Sequence, residues 1–523
     1  SYLFAAQQRV EREMLERQCD IVFQKGKLLK SSGGVNVMQV QDAFAAFQKV
    51  RGTPKYWQLV RNELIAKVSQ LGPFHIFFTL SCAEMRWSEV LTSILHQAGH
   101  KIEFSSPWDG KEENIFVDGV PFPDFLETQD ISKSNLLRNN VFLITRIFDH
   151  RVKSFIKNIV MKGGDGMLPV EYFTYRVEFQ LRGMAHIHGC LWLDEKFLEK
   201  YKNPKDGSFN NEKVGELIDL ISSCQLPGED NPELDSIVRE VQVHRHSRSC
   251  KKYGKECRFD FPNPPSPETI IAQPFFETSD EDDTNKFLKT KAQGIIKKVK
   301  DALIGDVDES LSLCDFLKTL DIPMNEYLWA LSISTHGPKI ILKRSLAERF
   351  VNNYNPQYLL AWNANMDIQF CIDTYAVITY ICDYYGKDDT GMSEVLTAAL
   401  RESKGSTGKD QLNILKNTYL SHRQIGACEA VYRILPNLFL KNSNILSIFV
   451  PTGFPENRSG FMKRVSDEDP EEGIEGDDVI LGAEYKVEGR VGTYTKNISA
   501  SERFSQRPPI LEKLCLAQFA TLY

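Results

Sequence analysis

The 523-residue chain has 42% apolar and 25% charged residues, the composition of a folded globular protein with a sizeable core. No stretch approaches the roughly 20 apolar residues that cross a bilayer, and no charged-then-apolar signal segment opens the chain, so neither a membrane-spanning nor a secreted protein is expected. Eleven cysteines, an odd number scattered along the chain, favour reduced thiols inside a cell.

The net charge of −7 is concentrated in two places. Residues 277–283 and 465–478 together carry 13 acidic side chains and no Lys or Arg. Without these two segments the net charge would be +6. The acidity is therefore expected in local loops, which leaves the rest of the chain free to form a basic face for nucleic acid.

The first quarter of the chain is predicted to be helical and then to enter a sheet. Apolar residues at helical spacing predict helices over residues 2–29, 36–49 and 58–71, with a break around Pro54. The dense apolar run FHIFFTLS at residues 74–81 predicts a central strand.

Residues 136–160 have apolar side chains at helical spacing and carry four basic residues. These cations either contact phosphate or form a solvated helix face, and the sequence does not separate the two alternatives. They are Arg146, Arg151, Lys153 and Lys157.

Residues 171–194 predict two strands joined by a short turn at Gly183. Side chains alternate between the faces of a strand, so two histidines one residue apart project to the same side. A carboxylate or an amide on the preceding strand could complete the set, which suits Mg²⁺ or Mn²⁺ at a phosphate. The ordinary alternative is two polar residues on an exposed strand. The candidate ligands are His186, His188 and either Glu178 or Gln180.

A second group of metal-binding residue types follows, with the spacing H-x-H-x3-C-x6-C. This spacing is close to that of small structural zinc modules, in which four Cys or His ligands surround the ion. Free thiols and surface histidines are the alternative. Any four of five residues could serve: Cys224, His244, His246, Cys250 and Cys257.

Three more segments carry candidate functions. Residues 286–300 hold six lysines on a predicted helix, which indicates either a basic patch or a solvated face. Residues 376–387 predict a helix that ends at Gly386, on which Tyr380 and Tyr384 share one face, followed by Lys387. Helical tyrosines are ordinarily core or interface residues, but two phenols so placed could both reach one metal site.

The His-x-His strand, the upstream Glu-x-Gln and the tyrosine pair together resemble the HUH (His, hydrophobic, His) nucleases. They resemble in particular the Rep domain of Helitron rolling-circle transposases. Several other passages in the same order are similar to that family, and the resemblance spans roughly residues 52–462. These passages are FHIFFTLS with Arg86-Trp87, CRFDFP, residues 350–370 (expected as strand, turn and strand) and residues 423–436 (expected as a helix).

The resemblance implies an α/β (α+β) fold in which an antiparallel sheet of the HUH/Rep type carries the histidines, with flanking helices, a zinc-binding module and helical additions. It implies a nuclear, metal-dependent endonuclease and strand transferase acting on single-stranded DNA at transposon ends. Tyr380 or Tyr384 would attack phosphorus to give a 5′-phosphotyrosine and a free 3′-hydroxyl, and Lys387 would stabilise the phosphate or position the nucleophile. The implied metals are Mg²⁺ or Mn²⁺ for catalysis and Zn²⁺ for structure.

Two other classes of function fit the same residues. The chain could be a module that binds DNA ends without cutting them. It could also be a metal-dependent nuclease in which water attacks phosphorus, and such an enzyme would form no covalent adduct with DNA.

The resemblance also implies a helicase partner. The chain starts without Met, and residues 400–412 are not a P-loop, because Asp410 stands where Ser or Thr should follow Lys409. We therefore expect a fragment whose helicase lies beyond Tyr523. The expected organisation is a helical region (1–71), a first part of the nuclease core (72–223), a zinc module with an acidic loop (224–285), a second part of the core (286–462), and an acidic loop with a linker (463–523).

Overall fold

The computed structural model of the protein describes residues 2–31, 50, 53–105, 112–164, 167–179, 183–210, 212–247, 250, 257–274, 283–334, 337–372, 390–403, 408–422, 425–448, 450, 460–463, 484–486, 493–497 and 499–522. The chain forms two compact units. The first contains Ser1–Gln70, Cys382–Gln424 and Leu446–Tyr523, and the second contains Leu71–Ile381 and Ile425–Ile445.

The mixed fold with antiparallel sheets and flanking helices is confirmed. The strands are β1 (Ile76–Ser81), β2 (Ile102–Phe104), β3 (Ile115–Val117), β4 (Val120–Pro121), β5 (Val170–Phe179), β6 (Ala185–Leu193), β7 (Ile270–Pro274), β8 (Ile333–Ser334), β9 (Lys339–Ile341), β10 (Met366–Phe370), β11 (Lys441–Ser443), β12 (Gly460–Lys463), β13 (Glu484–Lys486) and β14 (Thr493–Asn497). The α-helices are Tyr2–Ser31, Pro54–Leu71, Ser88–Gln97, Phe122–Thr128, Lys133–Asn139, Val141–Phe155, Glu195–Leu198, Val214–Ile221, Pro232–Ile237, Asp283–Ile304, Leu313–Thr319, Met324–Leu331, Pro356–Trp362, Thr390–Glu402, Gly408–His422, Ala427–Ile434, Ala500–Ser505 and Leu516–Leu522. Among the described residues, no helix combines the length and apolar character needed to cross a membrane.

The first unit is built on long helices. Helix Tyr2–Ser31 contributes Leu15 to a core that also contains leucines of the helices Thr390–Glu402 and Gly408–His422. An ion pair between Lys416 and Glu16, 3.0 Å apart, lies at the edge of this core. The buried residues of the core are Leu15, Cys19, Val50, Leu396, Leu400, Leu412, Leu415 and Tyr419.

The helix predicted from residue 58 begins four residues earlier, at Pro54. Proline is favoured in the first turn of a helix, because its fixed backbone angle suits the helix and its missing N–H would have no helical partner there. The Thr53 side chain precedes it and accepts a hydrogen bond from the Tyr56 N–H at 3.2 Å. Pro54 therefore starts the helix rather than breaking it.

A five-stranded antiparallel sheet, in the order β10-β1-β6-β5-β11, organises the second unit. Its back face carries apolar residues such as Ile187 and Val177, which are almost fully buried. Gly189 lies on this face because the ring of Phe78 occupies the space of its missing side chain. A Cβ at residue 189 would come within 2.3 Å of that ring. The opposite face is therefore the one that carries the two histidines.

His75, at the start of β1, predicts a pH dependence of stability. Its Nδ1 accepts a hydrogen bond from the Leu193 N–H at 3.0 Å, and burial lowers its pKa to about 4. The unfolded chain binds this proton near pH 6.5 and the folded chain does not, so stability falls as the pH drops from about 6.5 to about 4. His75→Asn keeps an acceptor and removes the titration. Urea unfolding at pH 7, 6 and 5 should show a pH slope shallower by about 1 kcal/mol per pH unit, below the limit of ~1.4 for one full proton. Parallel slopes in the two proteins would contradict this.

A smaller sheet of order β8-β7-β9 packs beside the helix Asp283–Ile304, which we call the lysine helix. The helix predicted over residues 286–300 is confirmed, and it extends further at both ends. It carries all six lysines of that segment. Val299 and Leu303 face a core shared with the helices Leu313–Thr319 and Met324–Leu331. Of the two acidic segments, residues 465–478 lie outside the described residues, as do residues 277–282.

Three other predictions of secondary structure were incomplete or wrong. Residues 350–370 form a helix, Pro356–Trp362, followed by β10, because the Asn355 side chain caps the helix with a 3.1 Å bond to the Tyr358 N–H. The helix predicted over residues 136–160 breaks at Asn140 and ends in a π-helical turn. The C-terminal region contains the helices Ala500–Ser505 and Leu516–Leu522 in addition to strands.

Candidate functional site

The two histidines lie side by side on the central strand of the five-stranded sheet. Strand β6 places His186 opposite Glu178 of β5 and opposite Ser81 of β1. His188 lies two residues further along β6, opposite Arg176 of β5 and Thr79 of β1. The two imidazole rings are 4.8 Å apart between their centres, and both side chains are less than 10% exposed. The alternation predicted from the sequence is thus the arrangement that the structure has.

Ser81 holds the ring of His186. The Ser81 Oγ lies 3.0 Å from Nδ1 of His186. This contact occupies Nδ1, which leaves Nε2 as the nitrogen available to a ligand. Burial and the nearby His188 lower the pKa of His186 to about 3, although Glu178 acts in the opposite direction. The imidazole is therefore neutral near pH 7, as a metal ligand must be.

The carboxylate of Glu178 reaches His188. Its Oε2 lies 2.5 Å from Nε2 of His188. Burial alone would raise the pKa of Glu178, but the hydrogen bond with His188 and the nearby positive charge of Arg176 hold that pKa below its usual value. Glu178 is therefore ionised under ordinary conditions.

The residues present fit a divalent cation. Two imidazoles and one carboxylate form a mixed nitrogen and oxygen set, which suits Mn²⁺ or Mg²⁺ with positions left for a phosphate. Adjacent ligands of an octahedral ion at about 2.1 Å lie about 3 Å apart. The Glu178 and His188 atoms are closer, at 2.5 Å, because they are hydrogen-bonded to each other, so both side chains would turn toward a bound ion. The alternative ligand, Gln180, lies outside the described residues.

Ser81 was not among the residues singled out from the sequence, and neither was Asp367. Asp367 of β10 lies opposite Thr79, on the same face as the histidines, and burial raises its pKa to about 6. Both residues come from strands that are more than 100 positions from β6 in the chain, so no local pattern connects them to His186.

The predicted catalytic helix belongs to a segment outside the described residues. Tyr380, Tyr384 and Lys387 lie outside the described residues, as does the predicted helix over residues 36–49. Residues 427–434, within the segment expected to be helical at 423–436, form the helix Ala427–Ile434.

The second metal-binding group is compact. Four side chains of the predicted five have their ligand atoms within 4.8 Å of one another: His244, His246, Cys250 and Cys257. The Cys257 Sγ lies 3.3 Å from Nε2 of His244, and the Cys250 Sγ lies 3.6 Å from Nδ1 of His246. Ligands at about 2.0 to 2.3 Å from a tetrahedral zinc ion are roughly 3.3 to 3.8 Å apart, so this cluster fits Zn²⁺.

The surroundings of this cluster also suit a structural metal. The Ser247 N–H donates a 3.2 Å hydrogen bond to the Cys250 sulfur, which holds the side chain in place within the cluster. The ring of His244 stacks on Phe261, with 4.6 Å between ring centres. Cys224 is placed elsewhere: it is fully buried, it donates to the Lys343 carbonyl at 3.3 Å, and burial raises its pKa to about 11. The four clustered residues are therefore the candidate set.

Several basic residues with a possible role at phosphate have structural partners instead. Arg151 donates to the Trp362 carbonyl at 2.7 Å, pairs with Glu89 and lies over the Trp87 ring. Lys153 pairs with Asp149 at 2.7 Å. Both contacts fit a packing role for these helix residues within the second unit.

Arg86 and Trp87 also bind the turn that leads into β10. The Arg86 Nε donates to the Asn363 side chain at 2.7 Å, and the Trp87 indole donates to the Asn363 carbonyl at 3.1 Å. The pair therefore fixes the end of the helix Pro356–Trp362, and it does so through the one residue that ends that helix in a left-handed conformation.

One known protein family matches part of this chain. Residues 7–191 match the family described as the Helitron helicase-like domain at the N-terminus. The matched segment ends at Leu191, so it includes β5, most of β6 and both His186 and His188, but not the Cys/His cluster. Over these residues the chain is similar to that Helitron domain. No curated protein matches the chain.

Proposed function

We propose that this Helitron-related chain is a metal-dependent endonuclease and strand transferase acting on single-stranded DNA at transposon ends. The proposed catalytic metal is Mg²⁺ or Mn²⁺, and the proposed nucleophiles are Tyr380 and Tyr384. A Zn²⁺ ion in the Cys/His cluster would have a structural role, because four protein ligands leave no position for a reacting water. The proposal includes a nuclear location and a helicase partner.

The observation that carries the proposal is the meeting of His186, His188 and Glu178 on one face of the sheet. The low pKa values of His186 and Glu178 put both groups in the protonation states that a divalent cation requires. A pair of exposed polar histidines would have neither this burial nor this partner. We therefore prefer the metal site to the ordinary alternative.

The side chains of the sheet have separate tasks. His186, His188 and Glu178 would hold the metal, and Ser81 keeps the His186 ring in its orientation. When bound, the divalent cation would polarise the scissile phosphate and offset the charge that develops on its oxygens. Arg176, buried opposite His188, adds positive charge beside Glu178 and favours its ionised form.

The covalent step is a transesterification. The phenolic oxygen of Tyr380 or Tyr384 forms a bond to phosphorus, and the bond from phosphorus to the 3′ oxygen breaks. The phenolic proton passes to water, and the departing 3′ oxygen takes up a proton. A phosphotyrosine conserves the diester bond, so the 3′-hydroxyl of another strand can reverse the step and become joined. The second tyrosine allows a second linkage to be held during the exchange.

The proposal predicts a covalent adduct with a defined polarity. In the presence of Mn²⁺, a single-stranded oligonucleotide from the element's end should give a slow-migrating protein adduct on a denaturing gel when labelled at its 3′ end, and none when labelled at its 5′ end. Tyr380→Phe and Tyr384→Phe should each reduce the adduct, and the double variant should abolish it, because no phenolic oxygen remains to attack.

Tyr385→Phe is the matched control, since Tyr385 is adjacent in sequence but falls on a different side of the predicted helix. It should retain the adduct. Cleavage without any adduct, unchanged in the double variant, would show that water attacks. Binding without cleavage would leave only a DNA-end-binding module.

A further inference from the structure

Two cavities of the second unit open beside the candidate metal centre and beside the lysine helix. The first, which we call the sheet cavity, has a volume of about 400 Å³ and is lined by Phe77 and Gln369 of the five-stranded sheet. The second, the lysine cavity, has a volume of about 440 Å³ and is lined by Lys297 and Lys300. Each is of the size that holds a small ligand.

The two cavities share walls. Pro264, Lys339 and Ile341 line both of them, so the second cavity continues the first along strand β9. We call the combined feature the long groove. It runs from the β10 edge of the five-stranded sheet to the lysine helix, entirely within the second unit.

One end of the long groove is lined by Phe77, a neighbour of the candidate metal centre. Phe77 stacks on the ring of His188, with 6.0 Å between ring centres. Phe77 pairs with Gln369 on the neighbouring strand, two residues along β1 from Thr79, which lies opposite His188. Two residues along a strand span about 6.6 Å, so a chain leaving the metal centre enters the sheet cavity within one nucleotide's length.

The floor of the lysine cavity is apolar. Ala330 and Leu331 are buried at the base of this cavity, and Ile296, Ile333 and Ile341 line it. The lining of the sheet cavity includes the apolar residues Phe77 and Phe370. Such a surface accepts the faces of unpaired bases.

The rim of the lysine cavity is basic. Lys297 and Lys339 are exposed at its edge, whereas Lys300 is paired with Asp260. Asp260 is 3.6 Å from Lys339, a weaker contact, and Asp301 is the other acidic residue of the lining. The lysine helix as a whole carries six lysines against two aspartates, which gives this side of the groove an excess of positive charge. Basic edges above an apolar floor match a single strand, whose phosphates and bases lie on opposite sides.

We propose that the long groove binds the single-stranded DNA that extends from the metal centre, with phosphates at Lys297 and Lys339 and bases toward the apolar floor. This inference rests on the proposed function for its substrate. It adds a binding path for the strand outside the metal centre, and it gives the lysine helix a role.

The test is the salt dependence of binding, measured without divalent metal so that no cleavage occurs. The probe is a 5′-fluorescein-labelled oligothymidylate of 20 nucleotides, and the readout is fluorescence anisotropy at several salt concentrations. Each phosphate contact of a single strand contributes about 0.7 to the slope of log K against log salt concentration. Lys297→Ala combined with Lys339→Ala should therefore lower the slope by about 1.4 and weaken binding by roughly 10- to 30-fold at 0.1 M salt.

Lys298→Ala is the matched control. Lys298 is the next residue on the same helix, but it turns away from the cavity and donates to the Leu320 carbonyl. It should leave the slope unchanged, and Lys297→Arg should restore most of the binding lost in Lys297→Ala. The proposed DNA path would be overturned by an unchanged slope in the double variant. It would also be overturned if Lys298→Ala lowered the slope as much as the double variant does.

The outcome is separable from that of the proposed function. If the wild-type protein cuts DNA but the double variant keeps its slope, the metal centre stands and the groove is wrong. If the slope falls in the double variant but the wild-type protein does not cut DNA, the groove is supported and the proposed nuclease activity is wrong.

Discussion

Replacement of His188 by alanine is expected to abolish Mn²⁺-dependent cleavage of single-stranded DNA, with a rate loss of about 1,000-fold or more. His188 is the imidazole that contacts Glu178, so its removal takes away one ligand and the partner of a second. A bound metal ion supplies several kcal/mol of stabilisation to a developing charge, and about 1.4 kcal/mol corresponds to a factor of ten in rate. The loss of the metal therefore accounts for an effect of this size.

The control for His188→Ala is His96→Ala, an exposed histidine on the helix Ser88–Gln97. It should cleave at the wild-type rate. Binding of Mn²⁺, followed by electron paramagnetic resonance, gives a readout apart from activity, and His188→Ala should weaken it. Ser81→Ala should have a smaller effect, about 10- to 100-fold in metal affinity, because Ser81 orients a ligand without being one. Full cleavage by His188→Ala would contradict the metal centre.

The second large effect concerns the Cys/His cluster. The purified protein is expected to contain one zinc ion per chain, and Cys250→Ser should lose it. Because binding of a structural zinc ion contributes directly to folding, the loss should lower the thermal midpoint of the second unit by roughly 10 °C or more. Zinc content measured by elemental analysis and thermal unfolding followed by circular dichroism give the two readouts.

Cys224→Ser is the matched control for Cys250→Ser. Cys224 is equally buried, but its sulfur donates to the Lys343 carbonyl, a bond that a serine hydroxyl can also make. This variant should keep the zinc ion. Loss of zinc in Cys224→Ser with retention in Cys250→Ser would show that the ligand set is a different four of the five residues.

The sequence predicts those parts of the candidate sites whose residues lie close together in the chain. The alternation of a strand puts His186 and His188 on one face, and the spacing from His244 to Cys257 places four ligands within one short segment. The same alternation could not choose between Glu178 and Gln180, because residues two apart share a face. Only the pairing of β5 with β6, which places Glu178 opposite His186, brings a carboxylate to the imidazoles.

The remaining parts of the site depend on contacts between distant segments. Ser81 reaches His186 across 105 positions of the chain, and the long groove joins β1 and β9 to the lysine helix. No periodicity reports such contacts. Two helix starts, by contrast, have a local signal in the sequence. Pro54 and Pro356 each stand at the first position of a helix, where proline is favoured, and Asn355 caps the second of these helices.

The capping box at Ser499 is a further signal of this kind. Its Ser499 and Glu502 side chains satisfy each other's backbone N–H groups at the start of the helix Ala500–Ser505. The S-x-x-E pattern is visible in the sequence, and it predicts a helix in a region expected to be strands and linker.

The most direct measurement of the central claim is the identity of the residue joined to DNA. The protein would react with a single-stranded oligonucleotide and Mn²⁺, the DNA would be trimmed by nuclease, and the tryptic peptides would be sequenced by mass spectrometry. We expect a nucleotide attached through its 5′-phosphate to Tyr380 or Tyr384, and no such peptide from His188→Ala. Cleaved DNA that carries a free 5′-phosphate, with both tyrosines unmodified, would contradict the account.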